Sequence, residues 1–135
     1  MMRALGRVVA TFVAAQGLAS VAWACKCLGE AYDPVAVRDE SDQVFVGEVL
    51  GGPRGGCGGA DVVYTLRVTE AFKGVDEGEK VEITTAAEGS ACGVELAEGE
   101  SWLVYAVDGR YGLCDPGGLA DENVDDLEAL RGASE

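Results

Sequence analysis

Two cysteines separated by one residue, Cys25-Lys26-Cys27, stand where an apolar leader runs out, and no other feature of the sequence constrains the fold as much. A disulfide between the two would close a very small ring of poor geometry, so each cysteine needs a separate partner. In extended backbone the side chains of residues i and i+2 point the same way, so two adjacent loops of the domain can receive them.

The leader reads as a secretory signal peptide. Residues 1–24 begin with Arg3 and Arg7, continue as the apolar run VVATFVAAQGLASVA and end in Ala22-Trp23-Ala24. A basic start, a short apolar middle and an A-x-A end are the parts of such a signal. The run falls short of the ~20 apolar residues a spanning helix needs, and no charged stop-transfer cluster follows it. Cleavage after Ala24 would make Cys25 the first residue of a secreted chain, extracellular or periplasmic, with no membrane association. A lipoprotein also begins with cysteine, but bulky Trp23 stands where its cleavage site takes a small residue.

Residues 25–135 are long enough for a single domain. The leader holds two of the ten Lys and Arg residues and none of the 24 Asp and Glu, which leaves 8 against 24 and a side-chain charge of −16. Charge of that sign repels phosphate backbones and anionic lipid, so nucleic acid is not an expected partner. The ordinary reading of the acidity is a solvated surface of a monomer.

All five cysteines lie in the mature chain, at Cys25, Cys27, Cys57, Cys92 and Cys114. In an exported protein they read first as disulfides. There is no histidine, which removes the usual general base and the commonest zinc ligand together. A four-cysteine zinc site would want C-x₂-C knuckles, and none is present. No base–nucleophile pair stands out, so an enzyme is not expected, nor a resident cofactor.

The middle of the chain reads as strands: SDQVFVGEVL (Ser41–Leu50), DVVYTLRVTEAF (Asp61–Phe72), KVEITT (Lys80–Thr85), SWLVYAV (Ser101–Val107) and a short RYGLC (Arg110–Cys114). The second has a clean period of two over a long run, a half-buried strand that bends. The glycine-dense Gly51–Ala60 reads as a mobile hairpin loop; it lacks the G-K-[ST] ending and following helix of a phosphate cradle. Near the C-terminus Val124, Leu127 and Leu130 fall at helical spacing, with Asp121 as the expected cap. The fold class is therefore mainly β: five antiparallel strands, an OB-fold-like barrel, with a short C-terminal helix. The pattern alone leaves a sandwich open.

CKC, SDQVFVGEV, YTLRVTEAFKG, SACGVEL, GESWLVYA and GLCDP, in that order, resemble the netrin-like module, most closely the N-terminal domain of the tissue inhibitors of metalloproteinases. The resemblance runs from Cys25 to about Leu130. It implies an OB-type barrel and the disulfides Cys25–Cys92 and Cys27–Cys114, leaving Cys57 as a free thiol. Each bridge would close a loop of roughly 65–90 residues, for which chain entropy alone gives about 4–5 kcal/mol.

The resemblance also implies a function, inhibition of a zinc metalloprotease. A free Cys25 offers its amine and its carbonyl oxygen, which together close a five-membered chelate ring on a metal. A catalytic zinc keeps one position for water, and that position can accept such a chelate. With an amine pKa near ~8, the neutral ligating form is accessible at physiological pH. Disulfides at Cys25 and Cys27 would remove the ordering cost of a free tail. By position, the protease-binding residues are Cys25, Lys26, Cys27 and Leu28, with Ser90 and Ala91 ahead of Cys92. The zinc belongs to the partner.

Two features depart from the family. Its second residue is usually small and hydroxylated, whereas Lys26 is a long cation, suited to an acidic pocket. The third disulfide of the vertebrate N-domain and the C-terminal domain have no counterpart. The alternative reading is a non-inhibitory netrin-like binding or structural module, since fold does not fix function. A lipid-anchored envelope protein on the same barrel is a third.

Overall fold

The computed structural model describes residues 31–87 and 92–134. Helix α1 (Pro34–Glu40) leads into a five-stranded antiparallel sheet: β1 (Gln43–Gly55), β2 (Val62–Lys73), β3 (Lys80–Thr85), β4 (Ser101–Ala106) and β5 (Gly117–Leu119). Helix α2 (Val124–Ala133) follows. The strand order is β3-β2-β1-β4-β5, so β1 is central and pairs with β2 on one side and β4 on the other.

Two apolar layers follow from the sequence of the two inner strands. In β1, Phe45 and Val49 face a core shared with Tyr64, Leu66 and Val68 of β2 and Ile83 of β3. Val44 and Val46 face the other way, onto Leu103 and Tyr105 of β4 and onto Leu127 and Leu130 of α2. β4 divides likewise, with Val104 and Ala106 in the first layer. Strands buried on both faces read as continuous apolar runs, which is what VFV and LVYA are. β2 is covered on one face only, and its buried residues alternate.

The sheet curls without closing into a full ladder. Its free edge on β3 meets the connection after β4: Thr84 N donates to Gly109 O at 2.8 Å, and Tyr111 N donates to Thr84 O at 3.0 Å. Among the described residues, this parallel bridge at Thr84 and Arg110 is the pairing that joins the two sides. The expected barrel is thus a curled five-stranded sheet with a one-residue seam.

Several expected boundaries move. β1 runs on to Gly55, through an irregular register and a cis Gly52–Pro53 peptide. The first half of the glycine-dense segment is therefore strand, and only a 3-10 turn at Cys57–Gly59 remains as hairpin tip. The fifth strand is not Arg110–Cys114 but Gly117–Leu119. Tyr111 is drawn into the core instead, at 3% exposure. Gly117 takes φ 96°, and a Cβ there would run into the carbonyl of Leu103, so the close pairing with β4 requires glycine despite its low strand preference.

The C-terminal helix begins later than expected. Ala120–Glu122 form a 3-10 turn, and Asn123, not Asp121, is the N-cap. Asn123 Nδ2 donates to Leu119 O at 2.8 Å, so its side chain secures the preceding turn. Leu127 and Leu130 are buried as the spacing predicts, while Val124 stays half-exposed. Helix α1 had no counterpart in the periodicity. Its signals are local: Asp33 Oδ1 accepts from Val35 N at 3.0 Å, Pro34 takes the first turn, and Lys73 Nζ donates to the terminal carbonyls of Arg38 and Asp39 at 3.1 and 2.9 Å.

Candidate functional site

Of the residues that the sequence nominates, Cys25, Lys26, Cys27, Leu28, Ser90 and Ala91 lie outside the described residues. The pairings Cys25–Cys92 and Cys27–Cys114 each have one end there. The other ends are described. Cys92 and Cys114 are both disulfide-bonded, and Cys57 is a free, exposed thiol.

The loops that carry Cys92 and Cys114 lie side by side. Leu113 N donates to Cys92 O at 2.9 Å, which sets the residue before one cysteine against the backbone of the other. The second loop is held by a turn of its own: Gly112 N donates to Asp115 Oδ2 at 2.6 Å, and Asp115 N donates to Gly112 O at 3.1 Å. The first loop is pinned at its base. Val94 N donates to the buried Thr85 Oγ1 at 3.1 Å. A Cβ on Gly93 would run into the carbonyl of Ala86, so only glycine lets the two arms of this loop approach so closely. Ala87, Val94 and Leu96 are buried around this base.

Aromatic rings underlie this edge. Tyr111 packs edge-on against Trp102 with centroids 6.5 Å apart, and its hydroxyl donates to Pro116 O at 3.0 Å. Burial first, then the nearby Asp115 charge, pushes the Tyr111 phenol above its usual range. Tyr32 ties the chain's lead-in to the same end of the sheet. Its hydroxyl donates to Asp126 Oδ2 at 2.5 Å and accepts from Gly117 N at 3.3 Å. Burial, followed by the Asp126 hydrogen bond, raises its pKa to about 12. Tyr105 donates to the same Asp126 oxygen at 3.1 Å and is raised too, again chiefly by burial.

The described surroundings are polar and include two ion pairs. Arg110 meets Asp61 at 2.6 Å, which links the β4–β5 connection to the hairpin. Arg54 meets Glu82 at 2.6 Å across the outer face. Such exposed pairs are screened by solvent and add little to stability. Leu113 is an apolar exception to this polarity, 50% exposed beside Cys114. Sequence reasoning passed over Leu113, Tyr32, Asp126 and Thr85. Leu113 had a signal, an apolar residue inside a cysteine-bearing turn. Tyr32 and Asp126 act through a contact remote in sequence, and Thr85 acts across the base of a loop.

Among the described residues, no group of three or more Cys, Asp or Glu side chains is placed to hold a metal ion. None of their helices is long and apolar enough to cross a membrane. No family model matches the chain, and no curated protein matches it significantly.

Proposed function

We propose that the mature protein is a secreted inhibitor of zinc metalloendopeptidases, acting through a free Cys25 as the tissue inhibitors of metalloproteinases do. The observation that supports this most is the juxtaposition of the two disulfide-bonded loops, with Leu113 N on Cys92 O. A Cys-x-Cys segment needs two such neighbouring anchors to be held rigidly. A rigid, exposed N-terminus can enter a protease cleft at little entropic cost. In the proposed complex the Cys25 amine and carbonyl oxygen take the zinc position otherwise held by water. Lys26 enters the pocket beside it, Leu28, Ser90 and Ala91 complete the contact, and half-exposed Leu113 adds apolar surface at its border. Lys26 selects proteases with an acidic pocket, where its ammonium is paired.

The test is a panel of zinc endopeptidases titrated with mature protein, a form with one alanine ahead of Cys25, and Lys26→Thr. The added alanine turns the primary amine into an amide and is expected to weaken inhibition by about a hundredfold or more, roughly 3 kcal/mol or above. Lys26→Thr is expected to shift preference toward apolar pockets. Equal inhibition by the extended form would exclude chelation. Inhibition of no protease by any form would favour a non-inhibitory netrin-like module.

A further inference from the structure

We infer that Tyr32, Gly117 and Asp126 form a latch through which helix α2 sets where the N-terminal segment leaves the domain. One phenol joins three elements that are far apart in sequence. Its oxygen donates to Asp126 of α2 and accepts from the Gly117 amide of β5, while Tyr32 itself precedes α1. Asp126 is fixed from the other side by Tyr105 of β4, whose ring meets Tyr32 edge-on with centroids 6.3 Å apart. Tyr32 remains 39% exposed, so burial alone holds it weakly and the two hydrogen bonds carry the attachment. A hydrogen bond to a carboxylate is among the stronger ones available.

The latch matters because of its distance along the chain from the candidate site. Tyr32 lies five positions after Cys27 in the sequence, and five residue steps reach at most roughly 16–18 Å. Holding Tyr32 therefore limits the positions open to the Cys-x-Cys segment, in addition to any limit from its disulfides. Helix α2 becomes a positioning element for the N-terminus, and Asp126 and Tyr32 are its positioning residues. The bearing on inhibition rests on the function proposed above; the latch itself does not.

Hydrogen exchange on the full mature chain reads the latch directly. Tyr32→Phe keeps the ring and removes both hydrogen bonds. The Gly117 amide, which donates to the Tyr32 hydroxyl, is expected to exchange about tenfold faster or more, with the β1, β2 and β4 amides unchanged. Asp126→Asn should move the same amide in the same direction. Glu70→Gln frees Arg131 on the same helix without touching Tyr32, and should leave the Gly117 amide within about twofold of the parent. No local change in Tyr32→Phe overturns the latch. So does faster exchange spread evenly over the domain, or an equal effect from Glu70→Gln. Where the mature protein inhibits a protease, Tyr32→Phe should raise the inhibition constant about tenfold at unchanged melting temperature. A protein that inhibits nothing, yet shows the local exchange change, keeps the latch and loses the proposed function.

Discussion

Two neighbouring turns of this protein carry cysteine and glycine, and they are built in opposite ways. The hairpin tip at Cys57–Gly59 is closed by two long backbone bonds, Gly59 N to Gly56 O and Ala60 N to Cys57 O, both 3.4 Å. Side chains added at Gly58 or Gly59 would meet nothing within 4 Å. The edge formed by the Cys92 and Cys114 loops is closed by short bonds, by buried Thr85 and by the Tyr111 ring in the core. The Asp61–Arg110 ion pair joins the two regions, so proximity does not explain the difference. What separates them is whether backbone polar groups find partners in the core. The same residue types give an unsupported tip in one place and a rigid platform in the other, and only the second suits a preorganised binding edge.

The largest expected effect tests the platform at its covalent anchor. Cys114→Ser removes a disulfide and should lower stability by about 2–5 kcal/mol, measured by denaturant unfolding without reductant. A loss as small as that of Cys57→Ser would erase the contrast between the turns.

Next is the hydrogen bond under the Cys92 loop. Thr85→Val keeps the shape and leaves the Val94 amide without its acceptor inside the core, so about 1–3 kcal/mol should be lost. A variant as stable as the parent would mean that the loop is held by its disulfide alone.

Alkaline titration sharpens the comparison differently, because the platform is underlain by phenols. Tyr32 is raised from 10.0 to about 12, and Tyr105 and Tyr111 are raised as well. A folded pKa above the unfolded value stabilises the fold fully below pH 10, and the contribution is lost as pH rises through about 12. Stability should therefore fall across that window as tyrosinate absorbance grows. Titration of Tyr32, Tyr105 and Tyr111 near pH 10 with the fold intact would contradict it.

The smallest effect belongs to the tip. Cys57→Ser should change stability by no more than about 0.5 kcal/mol, since the exposed side chain makes no buried contact. The parent thiol should be alkylated rapidly in folded protein. Slow alkylation, or a larger loss, would show that the tip is supported after all.

Much of the β-fold was legible in local pattern. Val62, Tyr64, Leu66 and Val68 alternate as one buried face of β2 should, and Lys80–Thr85 is a strand at the boundaries expected. Leu127 and Leu130 at helical spacing mark the buried stripe of α2. The fifth strand was illegible because its residues, Gly117 and Gly118, are chosen for close approach to β4 rather than for strand preference. Tyr111 and Leu113 look like strand residues, yet one fills the core and the other caps a turn. Helix α1 is too short for periodicity to reveal, and only Asp33 and Pro34 mark its start.

The sequence by itself determined that the chain is mainly β with a C-terminal amphipathic helix, and that histidine chemistry is absent. These follow from residue spacing and composition, which are properties of short stretches of chain. Tertiary structure alone decided that the Cys92 and Cys114 loops touch, that Tyr32 reaches Asp126 across 94 positions of sequence, and that the sheet curls to a one-residue seam at Thr84. The reason is that long-range hydrogen bonds form where curvature and packing bring unpaired groups together, and neither is encoded in any single segment.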